Sequence, residues 1–169
     1  MLRLLLGLAA WLPAGWLLAA ASTPARIPAG GQMVEPPPAL GPLIDVLLPL
    51  DQSPSGTDLG VDEYLWSRAL RREEHGRLVW LLCAWLDREA VSAGADDFSS
   101  ADEAQKITLV RRASEAPPRT MPSAAFRFIQ DRAFERYYAD PRSWPSLGYA
   151  GPPQPQGFPG HAQPPGAAA

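Results

Sequence analysis

The sequence predicts an all-α protein, a single small bundle of about five helices. Three observations carry this. The 20 prolines crowd toward the two ends and leave Val61 to Ala116 free of them. Apolar residues inside and around that stretch recur at three- and four-residue spacing, the period of one helix face. No segment alternates apolar and polar residues with β-branched enrichment, so no strand is expected. With 46% hydrophobic and 20% charged residues the composition is that of a globular chain.

The elements follow in order. Leu40, Leu43, Ile44, Leu47 and Leu48 define a first helix over residues 39–50, closed by Pro49. Asp51 to Gly56 is rich in turn residues, and Thr57 or Asp58 is placed to cap a second helix through Val61, Tyr64, Leu65, Ala69 and Leu70. Gly76 punctuates the join to a third helix, Arg77 to Ser92, whose stripe of Leu78, Leu81, Leu82, Trp85 and Leu86 is widened by Val79, Trp80 and Cys83. A helix apolar over most of its circumference belongs at the centre of a bundle. Gly94 ends it. Ser100 and Glu103 have capping-box spacing and start a fourth helix, moderately apolar and hence peripheral, which Pro117-Pro118 stops. The fifth begins near Thr120 to Ser123 and aligns Phe126, Ile129, Ala133 and Tyr137, with Phe134 and Tyr138 beside them. Asp140-Pro141 stops it, because a residue before proline is pushed out of helical geometry. Trp144, Leu147 and Tyr149 are too apolar for a free loop and are expected to fold back on the bundle.

The flanks read differently. Residues 1–21 have the pattern of an export segment: Arg3, an apolar run from Leu4 to Leu18, then Ala19-Ala20-Ala21 before a polar stretch. Cleavage leaves a chain beginning near Ser22; retention makes the segment a membrane anchor. Residues 22–38 are a linker of Pro, Gly, Ala and Thr, and residues 153–169 a disordered Pro/Gly/Ala tail in which Phe158 alone is able to anchor. The folded domain is therefore expected over 39–152.

The chemistry expected of the chain is sparse. A net charge of −3 gives no reason to expect nucleic acid or an anionic membrane as partner. One cysteine, Cys83, forms no internal disulfide and holds no iron–sulfur cluster or Cys-rich zinc site. No dinucleotide-binding glycine fingerprint and no Cys-x-x-Cys-His haem motif occurs. Asp96, Asp97, Asp102 and Glu103 lack the calcium-loop spacing and suit a helix start. No catalytic, metal or cofactor-binding residue is expected. Aromatic residues, in contrast, exceed what a thin bundle hides, so some are expected to face a partner.

Two stretches resemble the gluconate 2-dehydrogenase subunit 3 family. One is Leu43-Ile44-Asp45-Val46-Leu47-Leu48-Pro49-Leu50-Asp51 with the later Leu59-Gly60-Val61-Asp62-Glu63-Tyr64-Leu65; the other is Phe134 to Arg142 with Trp144 and Leu147 to Pro152. The resemblance implies the small, non-catalytic subunit of a periplasmic, membrane-associated dehydrogenase complex. Beside it would stand a large flavoprotein subunit carrying FAD, which oxidises a sugar or sugar acid, and a cytochrome c subunit carrying haem c. The small subunit would stabilise the large one or assist its export. Relatives often carry a twin-arginine export signal, whereas this chain has Arg3 alone near its start. The expected partner-binding residues are Tyr137, Tyr138, Asp140, Pro141, Trp144, Gly148, Tyr149, Gly151 and Pro152. Two other readings stand beside this one: an orphan exported helical protein whose aromatics complete its own core, and a hydrolytic enzyme using Glu74, His75 and Asp87.

Overall fold

The structure, a computed structural model, describes residues 35–151. The export segment, residues 22–34 of the linker, Pro152 and the tail lie outside the described residues. Five helices and no strand occur among the described residues: α1 Leu40–Leu47, α2 Val61–Ala69, α3 Glu73–Ser92, α4 Glu103–Ser114 and α5 Met121–Tyr138. Two short 3-10 turns, Pro141–Ser143 and Pro145–Leu147, follow α5. The all-α class read from the sequence is the observed one.

α3 and α5 pack together at the centre, α2 and α4 each touch both of them, and α1 lies across α2 and α4. One core results, built from Leu40, Leu43 and Ile44 of α1, Val61 and Leu65 of α2, Val79, Leu82 and Leu86 of α3, and Ile129 of α5, all essentially without solvent exposure. On α5 the sequence period holds: Phe126, Ile129, Ala133 and Tyr137 are its buried stripe. On α3 the centre of the stripe is shifted. Gly76, Val79, Leu82, Cys83, Leu86 and Ala90 are buried, while Leu78 and Trp85 are only partly covered. Trp80 and Leu81 likewise keep some exposure. The apolar arc of α3 is wider than its neighbours cover, so periodicity alone does not fix which residues face inward.

The helix boundaries differ from the sequence expectation for local reasons. Gly76 does not punctuate: α3 starts at Glu73, and Gly76 is buried within it. Thr57 does not cap α2, because its hydroxyl and amide donate to the Asp45 carboxylate of α1 at 2.8 and 3.0 Å. Asp58 accepts instead from the Ser55 amide, and Gly60, with φ of 64°, occupies the cap. Helix α4 has a capping box, but it is formed by Asp102 and Gln105, two residues beyond the expected pair. Ser100 is spent in a turn with Asp97, whose carboxylate accepts the Ser100 amide at 2.7 Å.

Two glycines are required where they stand. A Cβ on Gly56 would collide with the Ile44 side chain, so the loop after α1 lies against that helix closely enough for the Gly56 amide to reach the Leu48 carbonyl at 2.8 Å. Gly94 adopts φ of 95° after α3, and the Ala95 and Gly94 amides return to the carbonyls of Ala90 and Val91. This is the Schellman closure of a helix end. Past it, Phe98 is the largest fully buried side chain, inserted from the loop between α3 and α4. Its amide donates to Asp87 at 3.1 Å.

Candidate functional site

The nine residues expected to meet a partner lie where α5 ends, and eight of them are described. They divide into an internal clasp and an outer surface. Tyr137 belongs to the clasp: it is 5% exposed, and its hydroxyl lies 2.8 Å from the Pro54 carbonyl oxygen and 2.9 Å from Ser53 Oγ. It ties α5 to the loop between α1 and α2. Asp140, 6% exposed, is also internal. Its carboxylate accepts the Arg142 amide at 3.1 Å, Arg142 Nε and Nη2 at 3.0 Å, and Arg136 Nη1 at 3.3 Å. The side-chain bond from Arg142 is the chief reason its carboxyl is held well below the usual carboxylate range. Pro141 then starts the first 3-10 turn with its ring at a position where no amide is needed.

Buried Ser143 places its hydroxyl within 3.0 Å of the Tyr137 and Asp140 carbonyl oxygens, filling acceptors that the end of α5 leaves open. Trp144 Nε1 donates to the Tyr138 carbonyl at 2.9 Å. Tyr149 stacks edge-on against Trp144 with ring centres 5.1 Å apart, and its amide donates to the Trp144 carbonyl at 3.1 Å. Gly148 and Gly151, both with positive φ, bend the chain around the indole, and a Cβ on Gly151 would touch the Trp144 ring at 3.6 Å. The chain folds back through Trp144, as its apolar character requires.

Leu147 and Tyr149 do not bury with it. Leu147 is 58% exposed, Tyr149 44% and Tyr138 46%. Tyr138 and Leu147 face Leu47 and Pro49 across a groove of about 410 Å³. Leu50, next in the chain, is 72% exposed. An isolated exposed leucine such as Leu50 is ordinary, whereas Tyr138 and Leu147 are both exposed on one groove, and Tyr149, two residues beyond Leu147, is exposed against the Trp144 ring. Ser53 is the groove residue that sequence reading missed: it lines the groove and lies 2.9 Å from the Tyr137 hydroxyl, and no local signal in the sequence pairs it with α5.

The residues considered for hydrolysis do not converge. Glu74 and His75 lie in the first turn of α3 and Asp87 about 18 Å further along its axis, at about 1.5 Å per residue. His75 packs on Phe128 with ring centres 4.6 Å apart. Burial raises the Asp87 carboxyl above its ordinary value, a rise that the Phe98 amide opposes. Cys83 is buried in the core, where burial pushes its thiol up, away from the thiolate that a nucleophile needs. Asp97 and Asp102 are occupied in a turn and a helix cap. No group of three or more metal-ligating side chains, and no helix long and apolar enough to cross a membrane, occurs among the described residues.

The family model described as gluconate 2-dehydrogenase subunit 3 matches residues 38–151, the whole helical region together with the C-terminal turns. No curated protein and no solved structure matches the chain.

Proposed function

The chain belongs to the gluconate 2-dehydrogenase subunit 3 family, and from that membership we propose that it is the non-catalytic small subunit of an exported, flavin-dependent sugar or sugar-acid dehydrogenase complex. Its work is binding. The observation that carries this reading is the group of exposed side chains Tyr138, Leu147 and Tyr149, held on a hydrogen-bonded clasp at the end of α5. Interfaces are enriched in aromatic anchors such as these tyrosines, and a rigid support lowers the ordering cost of association. The large flavoprotein subunit is the occupant this surface would take, with FAD in that subunit and haem c in a cytochrome c subunit. Residues 1–21 would direct export, and residues 22–38 would tether the helical domain of 39–152.

The test is a pull-down of the tagged chain from the native envelope fraction, with mass spectrometry and an absorbance spectrum. Recovery of a yellow, flavin-containing large subunit, with or without a haem protein, is the expected result. Recovery of the chain alone and colourless would overturn the reading.

A further inference from the structure

We propose that the cleft between α2, the start of α3 and α5 is a docking site for an acidic peptide segment of a partner protein. The cleft encloses about 540 Å³ and shares no lining residue with the groove beside Tyr138. Four arginines line it, Arg68, Arg71, Arg72 and Arg132, against one acid, Glu135. That is a local excess of positive charge in a chain whose net charge is −3. The concentration is built by the backbone. The Arg71 and Arg72 amides donate to the carbonyls of Arg68 and Ala69, so Arg71 follows Arg68 one turn on, and Arg72, extended at the start of α3, lines the same cleft beside them.

Their charges are weakly engaged within the chain. Arg132 meets Glu135 at 2.5 Å and Arg72 meets Glu74 at 3.8 Å, but all four side chains are more than half exposed, and exposed pairs of this kind exchange readily. Arg68 and Arg71 make no ion pair among the described residues. Arg68 is held over the Tyr64 ring, 5.9 Å from its centre, with Arg136 at 5.7 Å from the same ring. Guanidinium groups so placed present a planar pair of donors that matches a carboxylate.

The distribution of charge selects a peptide over a point anion. The arginines come from two segments, Arg68, Arg71 and Arg72 from the end of α2 and the turn after it and Arg132 from α5, and the cleft is larger than a single small anion fills, which suits successive carboxylates of an extended segment. The tilted His75–Phe128 pair adds aromatic surface for the side chains between them. This site stands on α2, α3 and α5 alone and does not depend on the surface beside Tyr138 being an interface.

The experiment is fluorescence anisotropy of a labelled oligoglutamate peptide with the full chain, at low and at physiological ionic strength. Binding that weakens with salt is expected. Arg68→Glu combined with Arg71→Glu should weaken it by roughly tenfold or more, whereas Arg111→Glu combined with Arg127→Glu, with the same change in net charge at exposed positions elsewhere, should have a much smaller effect. Circular dichroism checks that each variant is folded, and Arg68→Gln with Arg71→Gln replaces the reversal if it is not. Absence of binding, equal loss in the two double variants, or displacement of the peptide by inorganic phosphate at matched charge would each overturn the proposal. Leu147→Asp should leave peptide binding unchanged, so failure here and failure of the subunit reading are told apart.

Discussion

Tyr137 and Tyr138 are neighbours in sequence, alike in chemistry and opposite in role, because one helical step of about 100° turns one inward and the other to solvent. The Tyr137 hydroxyl reaches Ser53 and Pro54, 84 and 83 residues away. Tyr137→Phe keeps the ring and removes that link, so it should cost about 1 kcal/mol, read from denaturant unfolding. The two perturbed aspartates carry opposite pH signatures. Asp140 has a folded pKa below its ordinary 3.8, so its stabilising contribution is present above that value and is lost as pH falls below it toward the lowered folded value. Asp140→Asn should therefore destabilise the chain at neutral pH, and the difference from wild type should shrink under acid. Asp87 has a folded pKa raised by burial, so its charged form opposes folding above that value. Asp87→Asn should raise the Tm at neutral pH, with the gain fading as pH is lowered and the wild-type carboxyl protonates. Thermal melts at a series of pH values check both signs.

At the scale of elements, closures decide more than propensities. Gly94→Ala tests this cleanly: no atom lies within 4 Å of the added Cβ, so the change isolates the left-handed backbone. It should cost about 1–2 kcal/mol. Gly56→Ala meets the Ile44 side chain and should cost more, again by denaturant unfolding. The same contrast explains what was legible in the sequence. Helix α5 could be read to its stripe because Phe126, Ile129, Ala133 and Tyr137 recur at three- and four-residue spacing, and the helix stop at Asp140-Pro141 follows from proline chemistry alone. The α3 stripe could not be centred, because Trp80, Leu81 and Trp85 extend its apolar arc past the zone its neighbours cover. The caps of α2 and α4 were displaced because Thr57 and Ser100 had better partners in Asp45 and Asp97. Phe98 carries no periodic signal, since a loop residue enters the core through tertiary packing. The location of the candidate surface was legible from aromatic surplus near Asp140-Pro141. Its division into clasp and outer face was not, because Ser53 and Pro54 join it only through the fold.

On the scale of the whole molecule, the bundle presents two grooves with no shared lining residue: one where Tyr138 and Leu147 are exposed, and a basic one around Arg68. Binding and stability should separate at the first. Leu147 makes few contacts in the free chain, so Leu147→Asp should change stability by no more than about 0.5 kcal/mol. If the large subunit covers Leu147, the same change buries an unpaired charge and should abolish co-purification. Tyr138→Ala and Tyr149→Ala, which truncate the anchors proposed for the interface, should each weaken the complex by on the order of 2 kcal/mol or more at an interface centre and less toward a rim. Trp144→Ala makes a poor probe by comparison, since the indole also bonds the Tyr138 carbonyl and supports Tyr149. The informative pattern is thus a folded Leu147→Asp chain that no longer brings down the flavoprotein, measured by co-expression and pull-down alongside a thermal melt. Retention of the flavoprotein by folded Leu147→Asp and Tyr138→Ala chains would place the subunit contact elsewhere on the bundle and leave this surface without a role in the complex.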